Sequence, residues 1–465
     1  MSAVYETLFR KLLYPAYESG LRRRRTLAWL DEYEQAQWLP PERIEALQWE
    51  RLQRLLAHCY REVPYYRRRW RELGVTPEDI RSREDYARLP LLTKADIRAN
   101  FEDLKAASLR GGLLFKATGG STGEPLRFGY TRESNDRRTE VMWRGYGWAG
   151  SRMGRRTLHL WGGGVGHPSR AHQWKDHLYN AAFARQVLNS FQMTEANLGD
   201  YVAAMDRYRP EIIVAYVSPL VCLAQWMLQT GRRPAFRAQG IIAAAEPLHE
   251  FQRALLEQAF GCPVWNTYGC REFMLVASEC ERRTGLHVNI DHLLVEFVRP
   301  GSTSAHAAAG EAGEVVVTDL FNYGMPFIRY ANGDMATPAE TPCGCGRGLP
   351  TLARVEGRVL DAIRTPDGHI LPGEFFPYML KEVVGVQRFQ LVQRRLDRLD
   401  LAIVRGPGFD DAALAFIRTE VARVLGDSVM LECRFVDDIP LTASGKLRVT
   451  VSELDRPADA AGTPP

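Results

Sequence analysis

The chain has 465 residues, of which 45% are hydrophobic and 25% are charged, and these values exclude a disordered or fibrous protein. The length exceeds what one hydrophobic core normally serves, so we expect at least two domains. The 60 Lys and Arg residues against 56 Asp and Glu residues give a net charge of +4, which is too small to indicate a nucleic-acid partner.

The sequence begins with neither a signal peptide nor a transit peptide, and no window is apolar enough for a membrane span, so we expect a cytoplasmic protein. Basic runs occur at 21–25 and 67–71, where solvated helix faces are favoured over an anionic partner. The eight cysteines are unevenly spread, which fits a reducing compartment where clustered thiols bind metal.

Residues 5–106 predict helices, because apolar residues recur at three- and four-residue spacing between Ile44 and Cys59. Thr93 is expected to cap a helix after a turn. The glycine-rich loop Thr118–Pro125 follows, with three glycines and three hydroxyls in eight residues. Such a loop exposes backbone N–H and hydroxyl groups to an anion such as the phosphates of a nucleotide. A flexible turn has the same composition, so this segment alone leaves both interpretations open.

Helical and strand patterns then alternate along the chain. We predict helices at 135–149, 220–229 and 248–260, and strands at 157–161, 212–217, 240–244 and 264–266. This alternation indicates a mostly parallel sheet covered by helices on both faces. Its ligand site is expected at the carboxyl ends of the strands.

Beyond Gly285 short strands and turns predominate, with strands predicted at 287–291, 294–299, 314–318 and 326–330 and an exposed loop at 301–313. A short polar connection around 354–358 precedes a compact pattern with strands at 387–393, 398–404 and 429–436 and a helix at 411–425. We therefore expect an α/β fold. A large N-terminal domain at 1–356 has mostly parallel sheets flanked by helices, a small mobile α+β domain spans 357–455, and 456–465 form a disordered tail.

Four further segments follow the glycine-rich loop in a defined order: Asn266–Glu272, Ile328–Asp334, Gly357–Asp361 and Leu441–Arg448. With the loop, this series resembles the motifs of the adenylate-forming superfamily of acyl- and aryl-CoA synthetases. It is most similar to the phenylacetate-CoA ligase and CapK-like branch over residues 60–449. The resemblance implies an enzyme that uses ATP to convert a carboxylic acid into an acyl adenylate.

The resemblance also assigns roles to individual residues. It implies that Lys446, Glu272 and Arg358 are catalytic, with Glu272 binding Mg²⁺ and Lys446 stabilising charge in the transition state. Tyr268 is expected to stack on adenine and Asp334 to bind the ribose hydroxyls. The residues expected to bind ATP or AMP are Thr118, Gly119, Gly120, Ser121, Thr122, Gly123, Ala245, Glu246, Pro247, Asn266, Thr267, Tyr268, Gly269, Asp334, Arg358 and Lys446.

Two positions depart from the pattern of the superfamily. Leu360 stands where many members carry an acidic hinge residue, with Asp361 next, so the position of the hinge stays open. Arg271 replaces the threonine that is common before the glutamate, although related polysaccharide-cluster proteins share this arginine.

A second constellation has the composition of a metal site. Cys280 and His287 are followed much later by Cys343 and Cys345, whose C-x-C spacing suits tetrahedral zinc better than a disulfide. Three Cys and one His complete a closed site, which implies a structural role, and the phenylacetate-CoA ligase branch carries a similar set. Unlinked buried thiols remain the alternative.

The co-substrate implied by the resemblance is coenzyme A, and the partners are ATP and a carboxylic acid, with a slight preference for an aryl or arylacetic acid. Transfer to an amine, a hydroxyl or a carrier-protein thiol is the alternative within this fold, and a non-catalytic nucleotide-binding protein is the alternative of another class. The oligomeric state stays open, a homodimer included. The resemblance places the acyl pocket near His159, His167, His172 and His177, with Trp161, Tyr216 and Trp174 as candidate lining residues. For each of these residues alone, an ordinary packing or surface role is favoured.

Overall fold

The computed structural model describes residues 2–117, 126–161, 170–190, 193, 195–358, 363–366, 370–371, 375–380, 383–426, 428–439 and 450–454. The chain divides into two compact units. The larger one consists of Met1–Leu248, Gln252–Asn332 and Ala336–Val355, and the smaller one of His249–Phe251, Gly333–Met335 and Glu356–Pro465.

The larger unit begins with helices. The chain is helical over 2–21, first as α1 (Ser2–Leu8) and then largely with π-helical turns at Phe9–Leu13 and Ala16–Leu21. The next helices are α2 (Thr26–Ala36), α3 (Pro41–Glu62), α4 (Pro64–Glu72), α5 (Arg83–Ala87) and α6 (Lys94–Ala99). None of the helices in the described ranges is both long and apolar enough to cross a bilayer.

Sequence spacing explains how these helices pack. The predicted apolar stripe of α3 is fully buried at Ile44, Leu52, Leu55, Leu56 and Cys59. Thr93 caps α6 as predicted, because its side chain accepts a hydrogen bond from the backbone N–H of Asp96 and the Asp96 carboxylate accepts one from the N–H of Thr93.

A hairpin borders the glycine-rich loop. Strand β1 (Leu114–Ala117) pairs antiparallel with β2 (Arg127–Tyr130), so that Ala117 lies opposite Arg127. Thr131 then caps α7 (Arg132–Trp148) by accepting a hydrogen bond from the backbone N–H of Ser134. The backbone on both sides of residues 118–125 is therefore held in place.

The central part of the larger unit alternates strands with helices, as predicted. Its elements are β3 (Thr157–Trp161), α8 (Arg170–Ala182), β4 (Arg185–Asn189), α9 (Leu198–Tyr208), β5 (Ile212–Tyr216), α10 (Val217–Thr230), β6 (Gly240–Ala244), α11 (Glu250–Phe260) and β7 (Val264–Tyr268). The strands lie in the order β4-β3-β5-β6-β7, and each pair of neighbours is parallel. Their carboxyl ends therefore meet at one edge of the sheet.

The sheet continues beyond β7 with β8 (Ala277–Glu279), β9 (Leu286–Val288), β10 (Leu293–Val298), β11 (Gly313–Asp319), β12 (Tyr330–Pro338) and β13 (Thr351–Arg358). Within the described residues the full order is β10-β11-β12-β13-β9-β8-β7-β6-β5-β3-β4. Strand β8 is antiparallel to β7 and to β9. The fold is thus α/β, with a large sheet flanked by helices.

The smaller unit has its own core. Its elements are β14 (Ile363–Arg364), β15 (Ile370–Leu371), α12 (Phe375–Leu380), β16 (Val386–Arg395), β17 (Arg398–Arg405), α13 (Asp411–Leu425), β18 (Met430–Phe435) and β19 (Thr450–Ser452). Four strands form a sheet in the order β18-β17-β16-β19. Ile417 and Val421 of α13 are buried in the same cluster as Leu391 and Leu401 of this sheet, so the unit is α+β as predicted.

Three local predictions are wrong, wholly or in part. The strand predicted at 287–291 is present only up to Val288, where β9 ends, and the chain turns at 290–292. Residues 326–329 do not form a strand, because Arg329 adopts a left-handed backbone (φ 51°) and its guanidinium donates to the carbonyl oxygens of Ala87 and Leu89. Only at Tyr330 does β12 begin. The segment 354–358, predicted as a polar connection, belongs to strand β13 (Thr351–Arg358), which lies between β12 and β9 in the sheet. The predicted tail at 456–465 lies outside the described residues.

Candidate active site

The chain turns sharply after β7, and this turn carries Glu272. A Cβ atom at Gly269 would lie 1.9 Å from the carbonyl oxygen of Met274, so only glycine fits there. The backbone N–H of Val276 donates to the carbonyl of Tyr268 at 2.9 Å and closes the turn. The Tyr-Gly pair of the motif therefore fixes a compact loop at the carboxyl end of a parallel strand, where ligands bind in sheets of this kind.

The carboxylate of Glu272 is buried and held from one side. Its side chain is 7% exposed, and the hydroxyl of Tyr330 donates to Oε1 at 3.0 Å. Among the described residues no hydrogen-bond donor reaches Oε2. One carboxylate oxygen is therefore positioned by the protein while the other stays available, which is an arrangement suited to a hard cation.

Arg138 of α7 holds the Glu272 loop through its backbone. Its Nη1 donates to the backbone carbonyl of Glu272 at 2.8 Å, and its Nη2 donates to the hydroxyl of Ser134 at 2.9 Å and to Asp319 at 3.3 Å. Arg138 and Asp319 are 1% and 2% exposed. Burial raises the pKa of Asp319, and Arg138 opposes that shift. A buried, fully hydrogen-bonded pair of this kind holds the loop in one position.

Tyr268 is positioned by its hydroxyl. The ring is 7% exposed, and the hydroxyl accepts a hydrogen bond from the Asn332 side-chain amide at 2.9 Å. Asn332 lies on β12 two residues after Tyr330, so both face the same side of the strand. The Glu272 cluster is defined here as Arg138, Tyr268, Glu272, Tyr330 and Asn332. Asp334 lies further along β12.

The remaining residues of the β6 and β7 motifs fall into two groups. Ala245, Glu246 and Pro247 directly follow β6 at its carboxyl end, and Ala245 has a left-handed backbone (φ 67°), which costs an alanine roughly 1 kcal/mol. On β7, the Thr267 hydroxyl donates to the Ala243 carbonyl at 2.8 Å, and the Asn266 backbone N–H donates to Glu279 at 2.7 Å. The Thr267 hydroxyl is thus used to join two strands.

Lys116 of β1 was missed by sequence reasoning. Its Nζ lies 4.9 Å from the centre of the Tyr130 ring and 3.4 Å from Asn135 Oδ1, and no carboxylate pairs with it within the described part of the chain. Burial, with the nearby charges of Arg138 and Arg271, lowers the pKa of Lys116 to about 8. The signal in the sequence was the position of a lysine two residues before the glycine-rich loop. That the lysine is half-buried is visible only in the structure.

Several predicted site residues lie outside the described residues. They are Thr118, Gly119, Gly120, Ser121, Thr122, Gly123, His167 and Lys446, together with Leu360 and Asp361 of the hinge motif. Arg358 ends β13, and its side chain is also outside the description.

The expected acyl region is only partly assembled from the predicted residues. Trp161 and Tyr216 end the neighbouring strands β3 and β5, and their rings stack with centres 4.2 Å apart. Burial lowers the pKa of His159 on β3 to about 3, so that this imidazole is neutral at physiological pH. Trp174, by contrast, is 67% exposed on α8.

Three cysteines and one histidine converge in the larger unit. The ligand atoms of Cys280, His287, Cys343 and Cys345 all lie within 4.8 Å of one another, and we call these residues the Cys–His cluster. The Sγ atoms of Cys280 and Cys343 are 3.7 Å apart, and Cys345 Sγ lies 3.3 Å from His287 Nε2. Tetrahedral zinc with its usual bond lengths separates two sulfurs by about 3.8 Å and a sulfur from a nitrogen by about 3.6 Å.

The surroundings of His287 orient its ring. His287 is buried, and its Nδ1 lies 3.0 Å from the Leu349 carbonyl oxygen, which can accept only if Nδ1 carries the proton. The Nε2 lone pair then points toward the cysteines, as in metal-bound histidines. The four residues come from the β8–β9 segment and from the loop before β13, so a bound metal would join these two segments.

Comparison with known proteins identifies relatives along most of the chain. A family model described as the CapK C-terminal domain matches residues 363–453. The phenylacetate-coenzyme A ligase of Thermus thermophilus is 30% identical over 442 residues, which cover 88% of this chain and 96% of that protein. Protein CapK of Staphylococcus aureus is 24% identical over 371 residues, covering 79% and 80% of the two chains.

Solved structures share the fold. The crystal structure of 2-hydroxyisobutyryl-CoA ligase in the postadenylation state, in complex with R3-HIB-AMP, superposes with a TM-score of 0.74 at 21% sequence identity, covering 90% of this chain and 91% of that chain. The motif order, the α/β fold and the near full-length match to the Thermus thermophilus enzyme agree with one another. The chain therefore belongs to the phenylacetate-CoA ligase family of adenylate-forming enzymes.

Proposed function

We propose that the protein uses ATP and Mg²⁺ to convert a carboxylic acid into an acyl adenylate and then transfers the acyl group to coenzyme A. The single observation that carries this proposal is the buried Glu272, which is held by Tyr330 and Arg138 and keeps one carboxylate oxygen available at the carboxyl end of β7. The relatives of this protein include phenylacetate-coenzyme A ligases from Thermus thermophilus and Escherichia coli.

The adenylation step needs no protein base, because the carboxylate of the acid is itself the nucleophile. A carboxylate oxygen of the acid attacks the α-phosphorus of ATP, and the bond to the β-phosphate breaks, so that pyrophosphate leaves. The sulfur of coenzyme A then attacks the acyl carbon, the bond from that carbon to the phosphate oxygen breaks so that AMP leaves, and the thiol proton is released to solvent. The protein supplies orientation and charge stabilisation for both steps.

Each motif residue has a proposed task in this reaction. Glu272 would bind the Mg²⁺ that neutralises the phosphates, Tyr268 would contact adenine, and Asp334 would bind the ribose. The glycine-rich loop would hold the β- and γ-phosphates. Lys446 would stabilise charge on the reacting groups, a task that rests on its sequence motif. We further propose that 1–356 act as the adenylation domain and 357–455 as the lid domain.

Lys116 extends this set of residues. Its ammonium group is half-buried beside Tyr130, without a carboxylate partner among the described residues and near two arginines. Such a concentration of positive charge favours an anion. The strand that carries Lys116 leads directly into the glycine-rich loop. We therefore assign Lys116 to the phosphates of ATP and to the pyrophosphate that leaves.

For the Cys–His cluster we propose structural zinc. The Cys280–Cys343 and Cys345–His287 separations of 3.7 Å and 3.3 Å are close to those of tetrahedral coordination, and the orientation of His287 agrees with Nε2 as a ligand. All four positions are filled by protein, so the metal would stabilise the fold and take no part in the reaction. None of the eight cysteines forms a disulfide, which fits a cytoplasmic location.

The test is ATP–pyrophosphate exchange with a panel of aliphatic, aryl and arylacetic acids. We expect exchange that depends on the acid and on Mg²⁺, followed by release of AMP and formation of a thioester when coenzyme A is added. Exchange without thioester formation would favour the alternative acceptors, an amine, a hydroxyl or a carrier-protein thiol. No exchange with any acid, from protein shown to be folded, would contradict the enzyme and favour a non-catalytic nucleotide-binding protein.

A further inference from the structure

The helical segment 2–21 packs on the larger unit through one side only. Phe9 and Tyr14 are buried, and their rings lie 5.1 Å and 5.8 Å from the ring of Phe183. The Tyr5 hydroxyl donates to the carbonyl of Ala182 at 2.7 Å. These contacts fix the orientation of the segment beside the end of α8, and so they determine which side chains face outward.

The outward side of this segment carries a stripe of apolar side chains. Val4, Leu8 and Leu12 recur every four residues and are 75%, 44% and 58% exposed, and Leu13 beside them is 42% exposed. A spacing of four places these side chains in one stripe along the helix. Single exposed leucines are common on proteins, whereas a continuous stripe marks an interaction surface.

The neighbouring helix α8 also exposes large apolar side chains. Trp174 and Leu178 are separated by one helical turn and are 67% and 61% exposed. The charges of Lys175 and Asp176 between them cancel. Phe183, directly after α8, packs against Phe9 of the segment. The exposed apolar side chains of α8 and of the segment therefore belong to neighbouring helices.

The charges of residues 4–25 are segregated. Arg10, Lys11, Arg22, Arg23 and Arg25 are exposed, and Arg10 lies 3.8 Å from Glu6. The acidic residues of this range are Glu6 and Glu18, which are only 8% and 6% exposed, and they form ion pairs with Arg155 at 3.1 Å and with Arg24 at 3.5 Å. The exposed residues of this range thus include five cations and no acid, although the whole chain has a net charge of only +4.

We propose that this surface, formed by the helical segment 2–21, the basic run 22–25 and α8, binds the surface of an anionic lipid bilayer. Exposed Leu and Trp side chains next to Lys and Arg are the composition of helices that lie in the membrane interface. Anionic headgroups neutralise the cations while the apolar stripe enters the acyl boundary. A second copy of the chain fits less well, because a contact of this segment with itself would bring ten exposed cations together with no exposed acid from the segment to pair them.

The proposal is tested by flotation of the full-length protein with two kinds of vesicle, one of phosphatidylcholine alone and one of equimolar phosphatidylglycerol and phosphatidylcholine. We expect binding to the anionic vesicles only, and weaker binding as the salt concentration rises. The double variant Arg22→Gln/Arg23→Gln should lower the partition coefficient about tenfold or more. Leu8→Ser/Leu12→Ser should lower it by at least about tenfold.

Matched controls come from other exposed positions. Leu73→Ser/Leu396→Ser changes leucines that are 49% and 46% exposed, and Arg54→Gln/Arg88→Gln removes two exposed arginines. Both control variants should bind vesicles like the unmodified protein. All variants should retain the ATP–pyrophosphate exchange rate in solution, since none changes a residue of the proposed active site. The membrane proposal and the proposed function are thereby tested separately.

Three outcomes would overturn the proposal. The first is no binding to anionic vesicles at low salt by folded protein. The second is an equal loss of binding in the control variants. The third is a dimer, measured by light scattering, that Leu8→Ser/Leu12→Ser converts to a monomer, since the stripe would then be an interface between two copies. If the surface binds an acidic protein but no anionic vesicle, the membrane proposal is likewise overturned.

Discussion

The Cys–His cluster and the Glu272 cluster are both assembled from segments far apart in the chain, but their side chains are used in opposite ways. In the Cys–His cluster the four ligand atoms lie within 4.8 Å of one another, so a metal would be enclosed by protein. In the Glu272 cluster one carboxylate oxygen is bonded to Tyr330 and the other has no protein partner among the described residues. A closed site stabilises a fold, whereas an open site can accept a substrate and its cation.

The largest expected effect concerns the open site. Glu272→Gln should lower the rate of ATP–pyrophosphate exchange by about 100- to 1,000-fold, because the amide cannot neutralise Mg²⁺. The melting temperature should change little. Tyr330→Phe serves as a graded control, since it keeps the carboxylate and removes only one hydrogen bond, and roughly a tenfold loss is expected. Full activity in Glu272→Gln would remove this residue from the reaction.

The next effect concerns the closed site, where stability and not activity should fall. Cys343→Ser/Cys345→Ser should abolish bound zinc, measured by elemental analysis, and lower the free energy of unfolding by about 3–5 kcal/mol. Exchange measured well below the melting temperature should change only a few-fold. Cys262→Ser, a buried thiol outside the cluster, should leave the metal content unchanged. Unmodified protein without metal, or unchanged zinc content in the double variant, would refute the zinc proposal.

The smallest expected effect concerns Lys116, beside the open site. Lys116→Met should raise the KM for pyrophosphate about tenfold with little change in stability, and Lys116→Arg should restore most of the affinity. Lys105→Met is the matched control, because Lys105 also lies over an aromatic ring but is already paired with Glu102 at 2.5 Å. If both methionine variants behave alike, Lys116 has no specific role in binding phosphate.

The pKa of Lys116 adds a pH dependence to the same measurement. Because burial and the two arginines lower this pKa to about 8, the free ammonium loses its proton as the pH rises through that value. Affinity for pyrophosphate should therefore fall above about pH 8. Lys116→Arg should remove this break, because arginine stays charged. An identical break in Lys116→Arg would assign the titration to another group.

Local patterns in the sequence were sufficient for most elements and for the family. The apolar spacing of α3, the cap at Thr93 and the β-strand at 157–161 depend on residues within a few positions of one another. The strand predicted at 326–330 failed because the backbone of Arg329 is set by acceptors at Ala87 and Leu89, about 240 residues away. A window of neighbouring residues carries no information about such a partner.

The family and the candidate zinc ligands follow from the order of residues in the chain, whereas the geometry of the sites follows from packing. The order of the motifs and the C-x-C spacing are covalent facts, so they identified the family and the four candidate zinc ligands. The support of Glu272 by Tyr330 and Arg138, the half-buried state of Lys116 and the outward stripe of Val4, Leu8 and Leu12 depend on packing. The sequence sets the identity and spacing of the residues. The burial of a side chain and the distance between remote segments are set only when the core packs.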